Sequence, residues 1–159
     1  MTRLTHTDET GQARMVDVSA KHPSARVAIA VGAIRMSPAT LDAISTNSIG
    51  KGDVLSVARI AGVMAAKKTS DLIPLCHPIA LTDVQVDFTL DESLPGVRVQ
   101  AIAKTVETTG VEMEALHAAS IALLTIYDMA KGIDRGMTIT RIALQEKSGG
   151  VSGEWKRQD

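Results

Sequence analysis

The chain has 159 residues, of which 45% are hydrophobic and 22% charged, and its formal net charge is −1. This composition is typical of one globular domain with a packed core, and the balanced charge gives no bulk attraction to nucleic acids or membranes. Three aromatic residues supply almost none of the stacking platforms that bind single-stranded RNA or DNA. The N-terminal residues are polar, no apolar stretch is long enough to cross a bilayer, and the one cysteine, Cys76, is typical of a reducing compartment. We therefore expect a cytoplasmic protein with neither a nucleic acid nor a membrane as partner.

The first half of the chain predicts one long strand followed by two helices. Val and Ile recur between small residues over 25–36, which favours a strand. Ser37 and Pro38 form a helix start, with Ser at the N-cap and Pro at the first helical position. Pro74 and Pro78 exclude a regular helix over 69–79. In chain order we predict a flexible arm over 1–13, a short edge strand over 14–18, a strand over 25–36, a short helix over 38–45 and a longer helix from about 53 to 68.

The second half predicts a hairpin, a long helix and a last strand. Apolar residues alternate in both 82–91 and 97–107, and the turn residues between them favour a hairpin. A helix over 112–132 and a strand over 137–146 follow. The order strand, helix, strand, strand, helix, strand predicts an α+β, ferredoxin-like split βαβ fold, with an antiparallel sheet and two main helices on one face. We expect one domain over residues 1–159, with flexible ends at 1–13 and 148–159.

The predicted helix over 112–132 is apolar nearly all round, which indicates burial by its own domain or by a partner. Charged residues on such a helix are costly unless they are paired or used. Asp128 and Lys131 are three residues apart and can meet, either in a functional site or in an ordinary surface ion pair. Glu114 and Asp128 are 14 residues apart, or roughly 21 Å along a helix. One small site in one chain cannot use both, so either the ligand is long or neighbouring subunits share the site.

The segment around His77 is the second candidate. Two prolines stiffen it, and an imidazole suits proton transfer or hydrogen bonding to an anion, although a lone histidine is often structural. Cys76 and His77 are adjacent in an extended segment and point to opposite faces, so His77 is poorly placed to activate the thiol. One cysteine and four scattered histidines lack the spacing of a zinc site. We expect no metal site.

Basic residues are the third group. Lys51 precedes the start of a helix, where backbone donors and the helix dipole favour anions. Lys67 ends the same helix, and Arg26 lies in the first long strand. Taken singly, each is more often a solvated charge, but together they would suit a triphosphate or pyrophosphate. The sequence KSGG at 147–150 lacks the order of a phosphate-binding P-loop.

Several strings together resemble one known family. SDLIPLCHP (70–78), GVEMEAL (110–116), LTIYDM (124–129) and EKSGG (146–150) are similar to the MoaC family of cyclic pyranopterin monophosphate synthases, and the similarity runs in order from residue 26 to 155. The resemblance implies a cofactor-free lyase of molybdopterin biosynthesis. Its substrate would be (8S)-3′,8-cyclo-7,8-dihydroguanosine 5′-triphosphate, its products cyclic pyranopterin monophosphate and pyrophosphate. It also implies a ferredoxin-like subunit and a homohexamer, built as a trimer of dimers, with active sites at subunit interfaces.

The resemblance assigns the site residues by position. The catalytic residues would be Asp128, Lys131 and Lys51. The substrate-binding residues would be Leu75, Cys76, His77, Met113, Glu114, Glu112, Arg26, Lys67 and Lys147. The chain departs from the family pattern at His117, Ala130 and Val151, and the last of these replaces an expected basic residue in the tail.

The implied chemistry is a metal-independent acid–base rearrangement. Lys51 and Lys131 would transfer protons, and Asp128 would either orient Lys131 or act as a base. Glu114 would accept hydrogen bonds from the guanine-derived ring, while cations would stabilise the departing pyrophosphate. The alternatives are a nucleotide-sensing module without turnover and an RNA-binding domain of the same topology; the scarcity of aromatic residues argues against the second.

Overall fold

The computed structural model describes residues 10–158, so most of the predicted arm over 1–13 lies outside the described residues. Within this range the elements follow the predicted order with small shifts at their ends. They are β1 (Ser24–Arg35), α1 (Pro38–Ser45), α2 (Val54–Lys67), α3 (Thr69–Leu72), β2 (Leu81–Asp91), β3 (Gly96–Glu107), α4 (Glu112–Ala130), β4 (Thr138–Ser148) and β5 (Trp155–Lys156).

The strands form one antiparallel sheet in the order β2-β3-β1-β4-β5. β3 lies between β1 and β2, which is the split βαβ arrangement, and α4 packs on β1 and β3 while α2 packs on β2 and on α4. The predicted ferredoxin-like fold, with two main helices on one face, is confirmed. β5 extends the sheet beyond the four strands of that pattern.

Small side chains let the two helices lie close to the sheet and to each other. A Cβ at Gly32 in β1 would lie 2.7 Å from a methyl carbon of Leu123, so α4 could not keep its distance from the sheet with a larger residue there. A Cβ at Gly62 in α2 would lie 3.0 Å from the carbonyl oxygen of Ala118 on α4. The core contains alanine, valine, leucine, isoleucine and methionine, which agrees with the low aromatic content. Close packing fixes which helix ends are neighbours.

Three local predictions differ from the structure. Residues 14–18 form no strand, because the Val16 carbonyl accepts a hydrogen bond from His77 instead of joining a ladder. Over 69–79, one helical turn precedes the irregular segment that the prolines enforce. The expected flexible end over 148–159 needs correction, since it contains β5, which pairs Trp155 with Lys147. Arg157 then donates to the Leu144 carbonyl at 2.8 Å.

No helix among the described residues is both long enough and apolar enough to cross a bilayer.

Candidate active site

All three predicted catalytic side chains meet at the C-terminal end of α4. Lys131 Nζ donates to Asp128 Oδ1 at 2.6 Å, and Lys51 Nζ donates to Asp128 Oδ2 at 3.3 Å. Lys51 Nζ also donates to the Asp128 carbonyl oxygen at 2.9 Å. We call Lys51, Asp128 and Lys131 the lysine–aspartate cluster. The side chains remain open to solvent, with exposed fractions of 53%, 58% and 50% respectively.

The antiparallel packing of α2 and α4 brings Lys51 to this position. Gly52 has a φ of +103°, a left-handed conformation that favours glycine and turns the chain sharply into α2. Asp53 then caps the helix by accepting a hydrogen bond from the Ser56 amide at 2.9 Å. The residue before this turn therefore lies beside the end of α4, although 77 positions separate Lys51 from Asp128.

The two lysines determine the ionisation of Asp128. Hydrogen bonds from Lys131 and then Lys51, together with their charges, hold the pKa of the Asp128 carboxyl below its usual value. The carboxylate is therefore charged near neutral pH, and it holds the ammonium groups of Lys51 and Lys131 close to each other.

A separate pocket of about 290 Å³ lies at the N-terminal end of α4. We call it the α4 N-terminal pocket. Six of the predicted substrate-binding residues line it: Leu75, Cys76, His77, Glu112, Met113 and Glu114. Five further lining residues were not predicted from the sequence: Val16, Val18, Lys21, Thr109 and Gly110. The string GVEMEAL includes Gly110, but the strings quoted above do not include Val16, Val18 or Lys21, which the fold brings against this end of the helix.

The proline-stiffened segment places His77 where it hydrogen-bonds to the N-terminal segment near residue 16. Its Nε2 lies 2.7 Å from the Val16 carbonyl oxygen, so the imidazole donates from Nε2. The Cys76 amide donates to the Ile73 carbonyl at 3.0 Å, which tightens the turn just before the histidine. His77 thus ties the N-terminal segment to the pocket wall.

The acidic and thiol groups of the pocket have shifted ionisation. Glu114 is 4% exposed, and burial, reinforced by the charge of Glu112, raises its pKa to about 7. Burial and the nearby Glu114 also raise the pKa of the Cys76 thiol. A protonated thiol is a weak nucleophile, which agrees with the expectation that Cys76 performs no covalent chemistry.

Two of the three remaining predicted cations border the pocket. Lys147 Nζ lies 3.1 Å from Glu112 Oε1 and donates to Ser152 Oγ at 2.7 Å. Arg26 donates through Nε and Nη2 to the carbonyls of Glu107 and Thr108, both at 3.2 Å, and so braces the loop that leads into α4.

The last predicted cation, Lys67, is exposed in the final turn of α2. Its end of α2 is tied to the N-terminal half of α4 by a 3.2 Å hydrogen bond between Thr69 and His117. Lys67 therefore lies toward the same end of the helix pair as the pocket, without lining it.

The structure does not bring the two groups together within one chain. Glu114 and Asp128 lie on one continuous helix, and the 1.5 Å rise per residue separates them by roughly 21 Å. Within residues 10–158, no three His, Cys, Asp or Glu side chains converge as a metal site would require.

The fold and these features define a class: a ferredoxin-like α+β subunit that carries two partial sites at opposite ends of one helix. The MoaC family model matches residues 15–150, and the chain therefore belongs to the MoaC family, as the resemblance predicted. The chain is 58% identical over 157 residues to a protein of Brucella ovis named cyclic pyranopterin monophosphate synthase, covering 99% of this chain and 95% of that protein. A Thermomicrobium roseum protein of the same name is 55% identical over 159 residues, covering 100% of this chain and 96% of that protein.

Proposed function

We propose that this protein is a cytoplasmic lyase that converts (8S)-3′,8-cyclo-7,8-dihydroguanosine 5′-triphosphate into cyclic pyranopterin monophosphate in molybdenum cofactor biosynthesis. The observation that carries the proposal is the 58% identity, over 99% of the chain, to a protein named for that synthesis. The geometry supplies side chains suited to this reaction. Carboxylates in the pocket can bind the ring, and nearby cations can bind the phosphates. Pyrophosphate is the second product.

The pocket residues suit recognition of the guanine-derived ring. Glu114 and Glu112 accept hydrogen bonds from ring N–H groups, and Leu75 and Met113 pack against its faces. Arg26, Lys67 and Lys147 attract the triphosphate and stabilise the charge that grows on pyrophosphate as the bond to the α-phosphorus breaks. Cys76 and His77 complete the wall of the site.

The lysine–aspartate cluster suits the proton transfers. Opening the purine ring, closing the new ring and forming the cyclic phosphate each move protons, and two lysines within reach of one carboxylate can deliver and accept them in turn. Asp128 has a pKa below its usual value, so it is a weak general base near neutral pH. The lowered pKa favours orienting Lys51 and Lys131, rather than acting as a base, as the role of Asp128 in this proposal.

A second copy of the chain would join the two partial sites. The exposed side of α4 carries Met113, Leu124, Asp128 and Lys131. The midpoint between Met113 and Asp128 falls at Ser120 and Ile121, so a two-fold axis there would place the Asp128 of one copy beside the Met113 of the other. Ser120 Oγ already donates to the Leu116 carbonyl at 2.7 Å, and a small side chain with a satisfied hydroxyl permits close helix crossing.

The surface beside this axis suits such a contact. Val57, Ile60 and Met64 form an exposed apolar row at helical spacing on α2, the helix that packs against α4. The antiparallel arrangement also brings Lys51 and Lys131 at one end toward the carboxylate of Glu112 at the other. We propose that this contact forms the dimer, and, from the family resemblance, that three dimers form a homohexamer.

The test is turnover of the purified full-length protein with the cyclised substrate. We expect stoichiometric release of pyrophosphate and cyclic pyranopterin monophosphate. A nucleotide sensor would bind the compound and release neither product, and that result would overturn the proposal. Lys104→Met is a suitable control, because Lys104 pairs with Asp83 at 3.1 Å in the β2–β3 hairpin and belongs to neither partial site.

A further inference from the structure

One wall of the α4 N-terminal pocket is formed by residues 16–21. The proposed reaction gives no role to any of them. Val16, Val18 and Lys21 line the pocket together with His77 and the start of α4. We call residues 16–21 the strap. It contains no helix or strand, so contacts with the rest of the chain and short turns of its own must hold it in place.

Those contacts are specific. The Val16 carbonyl accepts the 2.7 Å hydrogen bond from His77. The Ser19 amide donates to Asp17 Oδ1 at 2.9 Å, and the Lys21 amide donates to the Val18 carbonyl at 3.0 Å. Two successive turns thus follow the hydrogen bond between Val16 and His77, and they place Lys21 at the pocket.

The other charged groups of this region already have partners. Lys147 is paired with Glu112, and Arg26 donates to backbone carbonyls of the loop before α4. The Lys21 side chain lines the pocket and makes no hydrogen bond or ion pair within the described part of the chain. Its ammonium group retains its full donor capacity for a ligand.

We propose that the strap closes the pocket over bound nucleotide and that Lys21 binds the phosphate groups of that nucleotide. This inference rests on the proposed function, since the substrate supplies the polyphosphate. His77 acts here as a positioning residue, because it holds the strap through the Val16 carbonyl. The strap then covers the bound nucleotide, and the Lys21 ammonium adds a donor for the phosphates to those of Arg26 and Lys147.

The first test measures steady-state kinetics and pyrophosphate inhibition of Lys21→Met, which keeps the length of the side chain and removes its charge. A charge-assisted hydrogen bond to phosphate predicts a KM about 10- to 100-fold higher and an equally weakened inhibition by pyrophosphate. The kcat should change less than about threefold, because the group binds substrate and transition state alike. Lys21→Arg should restore most of the affinity, and Lys104→Met is the matched control. An unchanged KM, or a loss confined to kcat, would overturn the proposal.

The second test follows the strap itself in the wild-type protein. Trypsin cleaves after Arg14 and after Lys21, on the two sides of the strap, and pyrophosphate should slow both cleavages. Absence of protection at a concentration that saturates inhibition would show that the strap does not close. If the wild type released no product, calorimetric titration of wild type and Lys21→Met with pyrophosphate would still decide the role of Lys21, separately from the failure of the proposed function.

Discussion

The two ends of α4 carry carboxylates with opposite properties. Asp128 is 58% exposed, and two lysines hold its pKa below the usual value. Glu114 is 4% exposed, and burial raises its pKa to about 7. The same kind of group on one helix is thus a fixed anion at one end and a titrating group at the other, because neighbours and solvent differ. One end displays the ammonium groups of Lys51 and Lys131, and the other has a pocket lined by Glu112 and Glu114, so the two ends offer complementary groups.

The largest effect should come from the lysines of the exposed end. Lys51→Met and Lys131→Met each remove a proton-transfer group, and we expect kcat to fall by about 10²–10⁴-fold. Turnover of the cyclised substrate measures this loss, and pyrophosphate binding should remain because the pocket is at the other end. A variant that keeps wild-type turnover would show that its lysine takes no part in the reaction.

The next prediction tests whether one active site combines the N-terminal end of α4 from one subunit with the C-terminal end of α4 from another. Lys131→Met and His77→Ala damage opposite ends, and each should be nearly inactive alone. When both chains are expressed together, half of the dimers are mixed, and each mixed dimer contains one intact site. Activity should then return to about one quarter of the wild-type value. If each chain used only its own two ends, mixing would restore nothing.

A smaller effect should follow from disrupting the surface between the ends. Leu124 is 52% exposed on α4, one helical turn from the centre of the proposed contact, and Leu124→Asp would place a charge there. We expect the dimer dissociation constant to rise about 10- to 100-fold and specific activity to fall with dilution, as measured by sedimentation and turnover. Val106→Asp is the matched control, since Val106 is similarly exposed but lies on β3. Loss of activity in Val106→Asp alone would move the contact away from α4.

The smallest effect concerns the buried acid. The folded state raises the pKa of Glu114 from 4.5 to about 7, so the folded state binds its proton more tightly than the unfolded state does. The stability that this proton contributes is fully present below about pH 4.5 and is lost as pH rises through about 7. Glu114→Gln should remove this pH dependence. Between about pH 4.5 and 7, the unfolding free energy of the variant should therefore fall by about 2 kcal/mol less than that of the wild type.

Urea unfolding of Glu114→Gln and wild type at pH 5 and pH 8, at one fixed protomer concentration, measures that difference. Glu112→Gln is a useful comparison, because its side chain is paired with Lys147 at the surface of the same turn. Equal pH dependence in wild type and Glu114→Gln would mean that Glu114 titrates as an ordinary exposed carboxyl.

Much of the fold could be read from local pattern. Alternating apolar residues and the turn between them predicted β2 and β3, and the serine–proline pair predicted the start of α1, where Ser37 Oγ accepts from the Thr40 amide at 3.2 Å. Spacing along α4 predicted that Glu114 and Asp128 are too far apart for one site. These features depend on short-range geometry, which is the same wherever the segment lies in the molecule.

The strap and β5 could not be predicted in this way. Val16 and Val18 alternate as a strand does, but the Val16 carbonyl finds its partner on His77, 61 positions away. Trp155 and Lys156 form a strand only because β4 leaves an edge open beside them. The strap takes its structure from a residue far away in the chain and β5 from the open edge of β4, and residue type alone names neither partner.

By itself, the sequence determined the order of the elements, the aromatic-poor core and the family, because these depend on residue pattern along the chain. Only the tertiary structure decided that Lys51 meets Asp128 and that a strap walls the pocket with Lys21. Close packing of small residues such as Gly62 sets which helix ends are neighbours, and those long-range contacts convert separate charges into sites.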